Sequence, residues 1–491
     1  VAATNTAKRR IEEHVAAVEL LAVEPDDDPS IRALREALLA RAYGYLGRTE
    51  ERDAALQRAA SLHPDPSSET AHIIGVERAA ALANGGELAE AIAALDAVDA
   101  SAAGGHPSLR LTRGSMRATI RFMAGDPPDV DVLRSAVEAA LTAAEPAASS
   151  RAANLLAVEL GALGPRAALA TADEVIPRLE AAGLETSRVR AERIQLLLFL
   201  GRAAEAVVAA DELLERPYPF HSRPWSLAQR AEALCQLGRL ADADATLTEA
   251  TPKLTAEWMD AGEVATARAH VAFWSGRPRE ALAAATRALA IPTNYAGNYH
   301  LAAIVRAWAQ ADLGRAPDPL PAAPSSWLAT AATAELAALE ARWNGRSAVA
   351  DFDRAASLWD GHHAFRAAVC RWAAGEAARH EGAADAPDRL SAALATADHH
   401  GFEPLAARVR RSLRLAGVRV SRRPVPDTGR GLLTPREREV LDLVAAGQSN
   451  VEIGRRMGLG RGTVIRMMSS AMAKLGAESR AHAVTLLSGR R

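Results

Sequence analysis

Apolar residues three and four positions apart recur along most of the chain, which is the period of an amphipathic helix. The segment 203–214 shows it, since Ala206, Val207, Ala210 and Leu213 fall on one helical face. Such segments repeatedly follow a Leu-Gly-Arg tripeptide or a close variant of it, such as the tripeptide at 200–202. A glycine at this place supplies the left-handed residue that ends one helix, and the next helix begins at once. The pattern therefore predicts a series of helical hairpins.

Ten glycines mark the hairpins at intervals of 37 to 40 residues, with one interval of 31. They are Gly47, Gly85, Gly125, Gly164, Gly201, Gly238, Gly276, Gly314, Gly345 and Gly382. Because one hairpin cannot bury its apolar face alone, about ten stacked helix pairs would form a superhelix with an extended concave surface. The repeat resembles the tetratricopeptide repeat, although its period is longer than the usual one of about 34 residues.

The eighth unit departs from this pattern. Gly314 is followed by Pro317, Pro319, Pro321 and Pro324. Four prolines in this space exclude a helix, because proline lacks the N–H group that a helix interior needs. We expect a surface connector here, and the alternative is a hinge or a partner-docking segment.

Composition supports the helical prediction. The chain has 491 residues, enough for two or more folding units, and 115 of them are alanine, the best helix former and a residue depleted in strands. No signal-peptide pattern follows the polar start, and the longest apolar run, 194–200, is too short for a membrane span. Cys235 and Cys370 lie far apart, which favours two buried thiols in a reducing cytosol. We expect an all-α cytoplasmic protein without membrane association.

Charge is divided unevenly along the chain. The formal net charge is −2, but residues 1–400 hold 40 Lys and Arg against 53 Asp and Glu, and residues 401–491 hold 18 against 7. The two parts therefore carry net charges of −13 and +11. Such asymmetry indicates a polyanion-binding domain at the basic end. The acidic repeats could compete with a polyanion such as DNA for the basic domain and so prevent that domain from binding it.

A basic amphipathic helix is predicted at 404–416. Its apolar residues, Leu405, Val409 and Leu413, would face inward. Its arginines would face outward: Arg408, Arg410, Arg411 and Arg414. The segment after it lacks helical periodicity and carries two prolines and several arginines, which predicts a linker able to support phosphate contacts. The predicted division is a repeat domain at 1–417, a basic linker at 418–431 and a terminal domain at 432–491.

Two short helices are predicted at the start of the terminal domain. Thr434 is a typical N-cap and Pro435 a typical first helical residue, and Gly447 follows the end of this helix. Ser449 or Asn450 would cap a second helix that runs through residue 457.

A glycine-containing turn at 458–460 leads into a third predicted helix at about 461–474, and a fourth runs from 479 to 487. Two short helices joined by a tight turn form the helix-turn-helix layout, in which the later helix enters the major groove of DNA. This part of the chain therefore predicts a four-helix DNA-binding domain.

Residues 432–491 resemble the LuxR-type DNA-binding domain at the family's spacing throughout. The segments that carry the resemblance are Thr434-Pro435-Arg436-Glu437-Arg438-Glu439-Val440-Leu441, Gly447-Gln448-Ser449-Asn450-Val451-Glu452-Ile453, Thr463-Val464, Lys474-Leu475-Gly476 and Ser479-Arg480-Ala481. The basic helix and linker before them are similar to the region before this domain in the large ATP-binding LuxR regulators. The resemblance implies a four-helix domain that binds double-stranded DNA.

The nucleotide-binding domain of those large regulators has no counterpart in this sequence. A Walker A loop needs lysine between Gly and Ser or Thr, and the three lysines, Lys8, Lys253 and Lys474, follow Ala, Pro and Ala. We therefore expect that this chain binds no nucleotide cofactor. It is either a fragment or a shorter domain arrangement that lacks the nucleotide-binding domain.

The resemblance also implies which residues contact DNA. The family usually has Ser-Pro-Arg-Thr-Val-Lys-x-His where this chain has residues 460–467, so Ile465 and Met467 replace the base-reading lysine and the usual histidine. Arginine is the commonest partner of guanine in the major groove, so we expect base contacts from Arg466, then Ser469 and Ser470. Thr463 would pack or touch phosphate at the helix N-terminus. The other expected phosphate contacts are Ser449, Asn450, Arg455, Arg456, Arg461 and Lys474.

Together these patterns favour a transcription regulator that binds DNA. The family resemblance implies that two copies form a homodimer through the terminal helix, 480–487. The repeats would act as a sensor or assembly module that receives a small ligand, RNA polymerase or another protein on the groove. The alternative is a protein-interaction scaffold whose helix-turn-helix no longer reads DNA, which the apolar run of Ile465, Met467 and Met468 favours.

Other chemistry finds little support in the sequence. The pairs His362-His363 and His399-His400 are adjacent, and neighbours on a helix do not face each other as metal ligands would. Neither Gly-x-Ser-x-Gly nor a dinucleotide fingerprint occurs. We therefore expect neither an enzyme nor a metal site. The eight tryptophans are expected in the repeat core, with ligand contacts in the groove as the alternative.

Overall fold

The computed structural model divides the chain into two compact units, Val1–Arg419 and Val420–Arg491. The residues that it describes are 28–45, 48–62, 68–85, 87–101, 107–145, 148–216, 222–250, 261–291, 296–319, 327–419, 435–445, 448–460, 463–465, 467–468, 471–472 and 483. Every regular element in these ranges is an α-helix, which confirms the predicted all-α fold. None of the helices described is long and apolar enough to cross a membrane.

The first unit consists of helices numbered in chain order. They are α1 (Pro29–Tyr45), α2 (Thr49–Ser61), α3 (Glu69–Gly85), α4 (Leu88–Ser101), α5 (Pro107–Met123), α6 (Val130–Thr142), α7 (Ala148–Leu163), α8 (Pro165–Ala181), α9 (Ser187–Phe199), α10 (Ala203–Glu215), α11 (Ser222–Gln236), α12 (Leu240–Ala250), α13 (Ala261–Trp274), α14 (Pro278–Ala290), α15 (Ala296–Asp312), α16 (Trp327–Trp343), α17 (Val349–Trp359), α18 (Ala364–His380), α19 (Ala386–His400) and α20 (Glu403–Leu415). In the second unit, α21 (Pro435–Ala445) and α22 (Asn450–Met457) precede the helical residues 463–465, 467–468 and 471–472.

In the described residues, nine of the ten predicted glycines lie where a helix ends. Eight of the ten have positive φ, from +68° to +96°. At Gly201, the glycine N–H donates to the carbonyl of Leu198 at 3.0 Å, and the Arg202 N–H donates to that of Leu197 at 2.9 Å. This is the Schellman arrangement, which satisfies the last carbonyls of α9 before α10 begins. Of the other two glycines, Gly85 ends α3 and Gly47 lies outside the described residues.

In the described part of the eighth unit no second helix follows the first, in line with its prolines. After α15, Gly314 has a φ of +68° and residues 315–319 are not helical. The hairpins α16–α17 and α18–α19 follow, and α20 ends the unit. The described residues thus form nine hairpins and two single helices, α15 and α20.

The first helices of successive hairpins contact one another in an inner row, which includes α7, α9, α11, α13 and α15. The last helices of the unit, α16 to α20, pack against this row. Trp327 Nε1 on α16 donates to the carbonyl oxygen of Leu160 on α7 at 3.1 Å, and α20 contacts α11. Over these units the chain's own last helices therefore cover part of the concave inner face.

Aromatic side chains fill the space between the inner row and the last helices. The ring centroids of Phe199 and His363 are 4.9 Å apart, and those of Trp274 and Phe365 are 5.1 Å apart. The expectation of core tryptophans is confirmed where the structure shows burial: Trp274, Trp308, Trp359 and Trp372. Trp343, by contrast, is 44% exposed.

A charged pair lies inside this aromatic cluster. The Glu335 carboxylate accepts hydrogen bonds from Trp308 Nε1 at 2.7 Å and from Trp359 Nε1 at 3.0 Å, and it pairs with Arg366. Burial lowers the pKa of the Arg366 guanidinium to about 10. The carboxylate thus has both a counter-charge and two neutral donors, which is the condition under which a buried charge is tolerated.

Helix α20 packs as predicted except at one arginine. Leu405, Val409 and Leu413 are buried. Arg408 was expected to face outward, but its guanidinium lies 4.4 Å from the Phe273 ring centroid, and its Nη2 donates to the Phe273 carbonyl at 3.3 Å. The expectation is wrong because α20 docks on the aromatic cluster, whose ring faces attract the cation.

Candidate nucleic-acid interface

The second unit is organised around a small apolar core. Helix α21 begins at Pro435, as predicted, and contributes Val440 and Leu441, both fully buried. The other buried members are Val444, Ile453, Val464, Met468, Ala471 and Ala483. Because these residues come from four separate stretches, the core fixes the relative positions of the helices that present the candidate DNA contacts.

Helix α22 has a complete capping box, which confirms the predicted cap at Ser449. The Glu452 N–H donates to Ser449 Oγ at 3.4 Å, and the Ser449 N–H donates to Glu452 Oε2 at 2.7 Å. These hydrogen bonds from Ser449 lower the pKa of the Glu452 carboxyl. The helix start is therefore fixed, and Ile453 points into the core.

A tight turn connects α22 to the next helix. Gly458 has a φ of +66° and ends α22, with the Leu459 N–H donating to the Gly454 carbonyl at 2.7 Å. The Gly460 carbonyl then accepts from the N–H groups of Thr463 at 2.9 Å and of Val464 at 3.2 Å. A new helix thus begins at this turn, at the position predicted for the recognition helix. The name recognition helix is used below for the helical residues 463–465, 467–468 and 471–472.

The recognition helix has one buried face and one exposed face. Val464 and Ala471 are fully buried, and Met468 is 6% exposed. Ile465, in contrast, is 43% exposed, and Met467 is partly buried against the core. A helix held by one face in this way leaves the opposite face free to enter a groove.

Five of the predicted DNA-contacting residues lie in the described part of this unit. Ser449 caps α22 and Asn450 begins it, while Arg455 and Arg456 are exposed in its last turn. Thr463 lies in the first turn of the recognition helix and is half-buried. The structure thus brings these five residues onto two adjacent helices joined by one turn.

The remaining predicted contacts lie outside the described residues: Arg461, Arg466, Ser469, Ser470 and Lys474. The same holds for most of the terminal helix expected to pair two subunits, 480–487, of which Ala483 alone is described and buried in the core of its own unit. The roles of all ten residues stay predictions.

The repeat unit also contains a small polar cavity, which the sequence did not indicate. Glu232, Gln236, His270, His363 and Arg366 contribute to its walls, and its volume is about 20 Å³. Burial raises the pKa of Glu232 to about 7 and lowers that of both histidines to about 3. Such a volume admits one or two water molecules.

The two cysteines and His362 pack within the repeat unit. Cys235 and Cys370 are buried free thiols, as expected, and burial raises the pKa of both, that of Cys370 to about 12. His362 stacks on Trp327 with 4.6 Å between ring centroids. Among the described residues, no group of three or more His, Cys, Asp or Glu side chains could hold a metal ion.

Comparison with known families gives one match. Residues 431–487 match the family model described as bacterial regulatory proteins, luxR family. The match includes α21, α22, the turn after them and the described recognition helix. No curated protein matches the chain.

Several solved structures are similar to the helical array. A tetratricopeptide repeat protein from Parabacteroides merdae is 14% identical over 56% of this chain and 98% of its own, with a TM-score of 0.36. Human IFIT1, solved as a dimer with m7Gppp-AAAA, is 14% identical over 82% and 94%, with a TM-score of 0.41. Yeast Tom70 is 13% identical over 86% and 97%, with a TM-score of 0.24. None of these likenesses says what this chain binds.

Proposed function

We propose, from the LuxR-family helix-turn-helix domain at residues 431–487, that the protein is a cytoplasmic transcription regulator that binds double-stranded DNA through this domain. The observation that carries the proposal is the recognition helix, which is fixed by its buried face after a capped helix and a glycine turn. In this arrangement the later helix lies in the major groove while the earlier one crosses the backbone. The net charge of +11 over residues 401–491 favours the phosphate backbone as a partner.

The proposal assigns two kinds of contact. Arg455 and Arg456, at the end of α22, neutralise phosphates together with Arg461 and Lys474. Ser449, Asn450 and Thr463 add hydrogen bonds to the backbone at the starts of the two helices. Arg466 reads a guanine, and Ser469 and Ser470 contact bases further along the recognition helix. Phosphate contacts position the domain, and base contacts select the site.

The repeat unit is proposed to be a sensor or assembly module. Helices α16 to α20 cover part of its inner face, so the surfaces that remain for RNA polymerase, another protein or a ligand are those that the last helices leave open. Two copies bind through the terminal helix, 480–487. If each copy neutralises about four phosphates, the logarithm of the binding constant falls with the logarithm of salt concentration with a slope of about −7.

Electrophoretic mobility shifts with the full-length protein test the proposal. Genomic fragments are titrated with wild type, Arg466→Ala and Arg456→Ala at several salt concentrations. We expect Arg466→Ala to relax the preference among fragments, at about 1–3 kcal/mol per lost base contact. Arg456→Ala should weaken binding to all fragments alike and make the salt slope about 2 units less steep, because the dimer loses one phosphate contact in each copy. Binding that does not change with salt would refute the proposal.

A second candidate is a scaffold whose terminal domain no longer reads DNA. The exposed Ile465 favours it, because an apolar side chain stands where the family has its base-reading lysine. A scaffold would bind duplex DNA weakly, and Arg466→Ala would leave its preference among fragments unchanged. The same titration therefore separates the two functions.

A further inference from the structure

The exposed face of the recognition helix carries an apolar side chain that the domain does not cover. Ile465 is 43% exposed, while its neighbour Val464 is fully buried and Met468 is 6% exposed. The described residues of this helix are Thr463, Val464, Ile465, Met467, Met468, Ala471 and Met472, none of them charged. The described part of this surface thus offers little besides the isoleucine for direct contact with a base.

The position of Ile465 matters more than its exposure, since single exposed apolar residues are ordinary on protein surfaces. The Gly460 carbonyl accepts from the N–H groups of Thr463 and Val464, so Ile465 stands near the start of the helix. Residues near the start of a recognition helix are those that reach base edges in helix-turn-helix complexes. Ile465 is therefore placed to meet bases rather than phosphates.

The chemistry of the major groove then selects the base. An isoleucine side chain neither donates nor accepts a hydrogen bond, and the apolar group that the base pairs present in this groove is the 5-methyl group of thymine. Against a G·C pair, the isoleucine would remove water from the guanine O6 and N7 and the cytosine N4 without replacing their hydrogen bonds, which costs free energy. An A·T pair with its methyl group toward the helix avoids most of that cost.

We infer that Ile465 is a specificity-determining residue that selects thymine by packing on its 5-methyl group. The inference rests on the proposed function, since it requires that the recognition helix lie in the major groove. It adds a requirement for an A·T pair to the operator, separate from the guanine assigned to Arg466.

Replacement of thymine by uracil tests this directly, because it removes the methyl group and leaves every hydrogen-bonding group in place. Preferred sites are first selected from random duplexes with the full-length protein. Each thymine of the selected site is then replaced singly by deoxyuridine. We expect one position in each half-site at which wild type binds about fourfold more weakly, the equivalent of the roughly 0.8 kcal/mol of one buried CH₂ group.

Two variants assign the effect to a side chain. Ile465→Ala should bind thymine and uracil alike at that position and keep its other preferences. Val451→Ala is the matched control, because Val451 is 44% exposed on α22 and loses a similar apolar surface. It should keep the wild-type response to uracil. Since both side chains are exposed, neither change should alter the fold, which the melting temperature verifies.

The outcomes separate this inference from the proposed function. Selected sites whose thymines all tolerate uracil, or an Ile465→Ala variant with the full uracil penalty, would overturn the role of Ile465 and leave DNA binding intact. Failure to select any duplex would refute DNA binding itself, and the role of Ile465 with it.

Discussion

The Glu335 carboxylate is fully buried and has Arg366 as its counter-charge. We expect Arg366→Leu to lower the free energy of unfolding by about 3–5 kcal/mol, because it leaves an uncompensated buried charge. The double variant with Glu335→Leu should recover part of this loss. Urea unfolding followed by tryptophan fluorescence measures all three proteins. Arg371→Leu breaks an exposed pair with Asp360 and should cost less than about 1 kcal/mol, so an equal cost for Arg366→Leu would contradict the prediction.

Ionisation of Glu232 lowers the stability of the repeat unit as the pH rises, whereas most carboxyl groups in folded proteins stabilise the fold when they ionise. Burial raises its pKa to about 7, so between about pH 4.5 and 7 the folded state holds a proton that the unfolded state has lost. Its contribution to stability therefore falls as the pH rises through this window, by at most about 3 kcal/mol. His270 and His363 act in the opposite sense. Burial lowers their pKa to about 3, so the stability they contribute is present above about pH 6.5 and is lost as the pH falls.

Comparison with Glu232→Gln isolates this carboxyl from the histidines. We expect the wild type to lose stability relative to Glu232→Gln as the pH rises from 5 to 8, measured as urea midpoints. Glu212→Gln, an exposed position on α10, should follow the wild type. A difference between wild type and Glu232→Gln that stays constant over this range would show that Glu232 titrates as an ordinary exposed carboxyl.

The turns between paired helices share one backbone conformation but differ in their surroundings. Gly201 and Gly382 have φ of +73° and +72°. A Cβ atom on Gly201 would lie 2.7 Å from His400 Nδ1 and 3.0 Å from Ala364 Cβ, whereas one on Gly382 would meet no atom within 4 Å. Gly382→Ala should thus cost only the left-handed strain, about 1–2 kcal/mol. Gly201→Ala should cost about 1–3 kcal/mol more from overpacking. Equal urea midpoints for the two variants would show that α19 does not press on this turn.

Elements with local signals were predictable from the sequence. The hairpin turns follow from glycine at the C′ position, and the start of α21 follows from Pro435. The cap of α22 follows from Ser449 with glutamate three residues later. Each signal acts within one helical turn, so it works regardless of the rest of the fold. The exposure of Ile465 also agrees with the sequence, because Val464 and Met468 lie at helical spacing on one face and Ile465 lies outside that face.

The packing of distant parts of the superhelix on one another could not be predicted from such local signals. Trp327 contacts Leu160, and Arg408 contacts Phe273, across 167 and 135 residues. Small differences in the angle between successive hairpins add up along the array, so the packing of the last helices on the inner row depends on every unit between them. For this reason the sequence placed Arg408 outward, and it did not indicate that the last helices pack on the inner row.

The charges of the two units give a prediction for the whole molecule. Residues 1–419 hold 45 Lys and Arg against 54 Asp and Glu, a net charge of −9, and residues 420–491 hold 13 against 6, a net charge of +7. The hypothesis is that the acidic unit, tethered to the basic one, competes with DNA phosphates for its arginines. We therefore expect deletion of residues 1–419 to tighten DNA binding several-fold at about 50 mM salt, with a smaller gain at about 300 mM, where the Debye length is shorter.

The position of the cut matters for this experiment. Leu405, Val409 and Leu413 of α20 pack inside the repeat unit, so a cut before α20 would leave an apolar helix face on the DNA-binding fragment. A cut after residue 419 follows the boundary between the two compact units. Fluorescence anisotropy with one operator duplex measures both proteins at both salt concentrations. Affinity that is unchanged or weaker after the deletion would mean that the repeat unit does not compete with DNA for the terminal domain. It would instead assist DNA binding, for example by bringing two copies together.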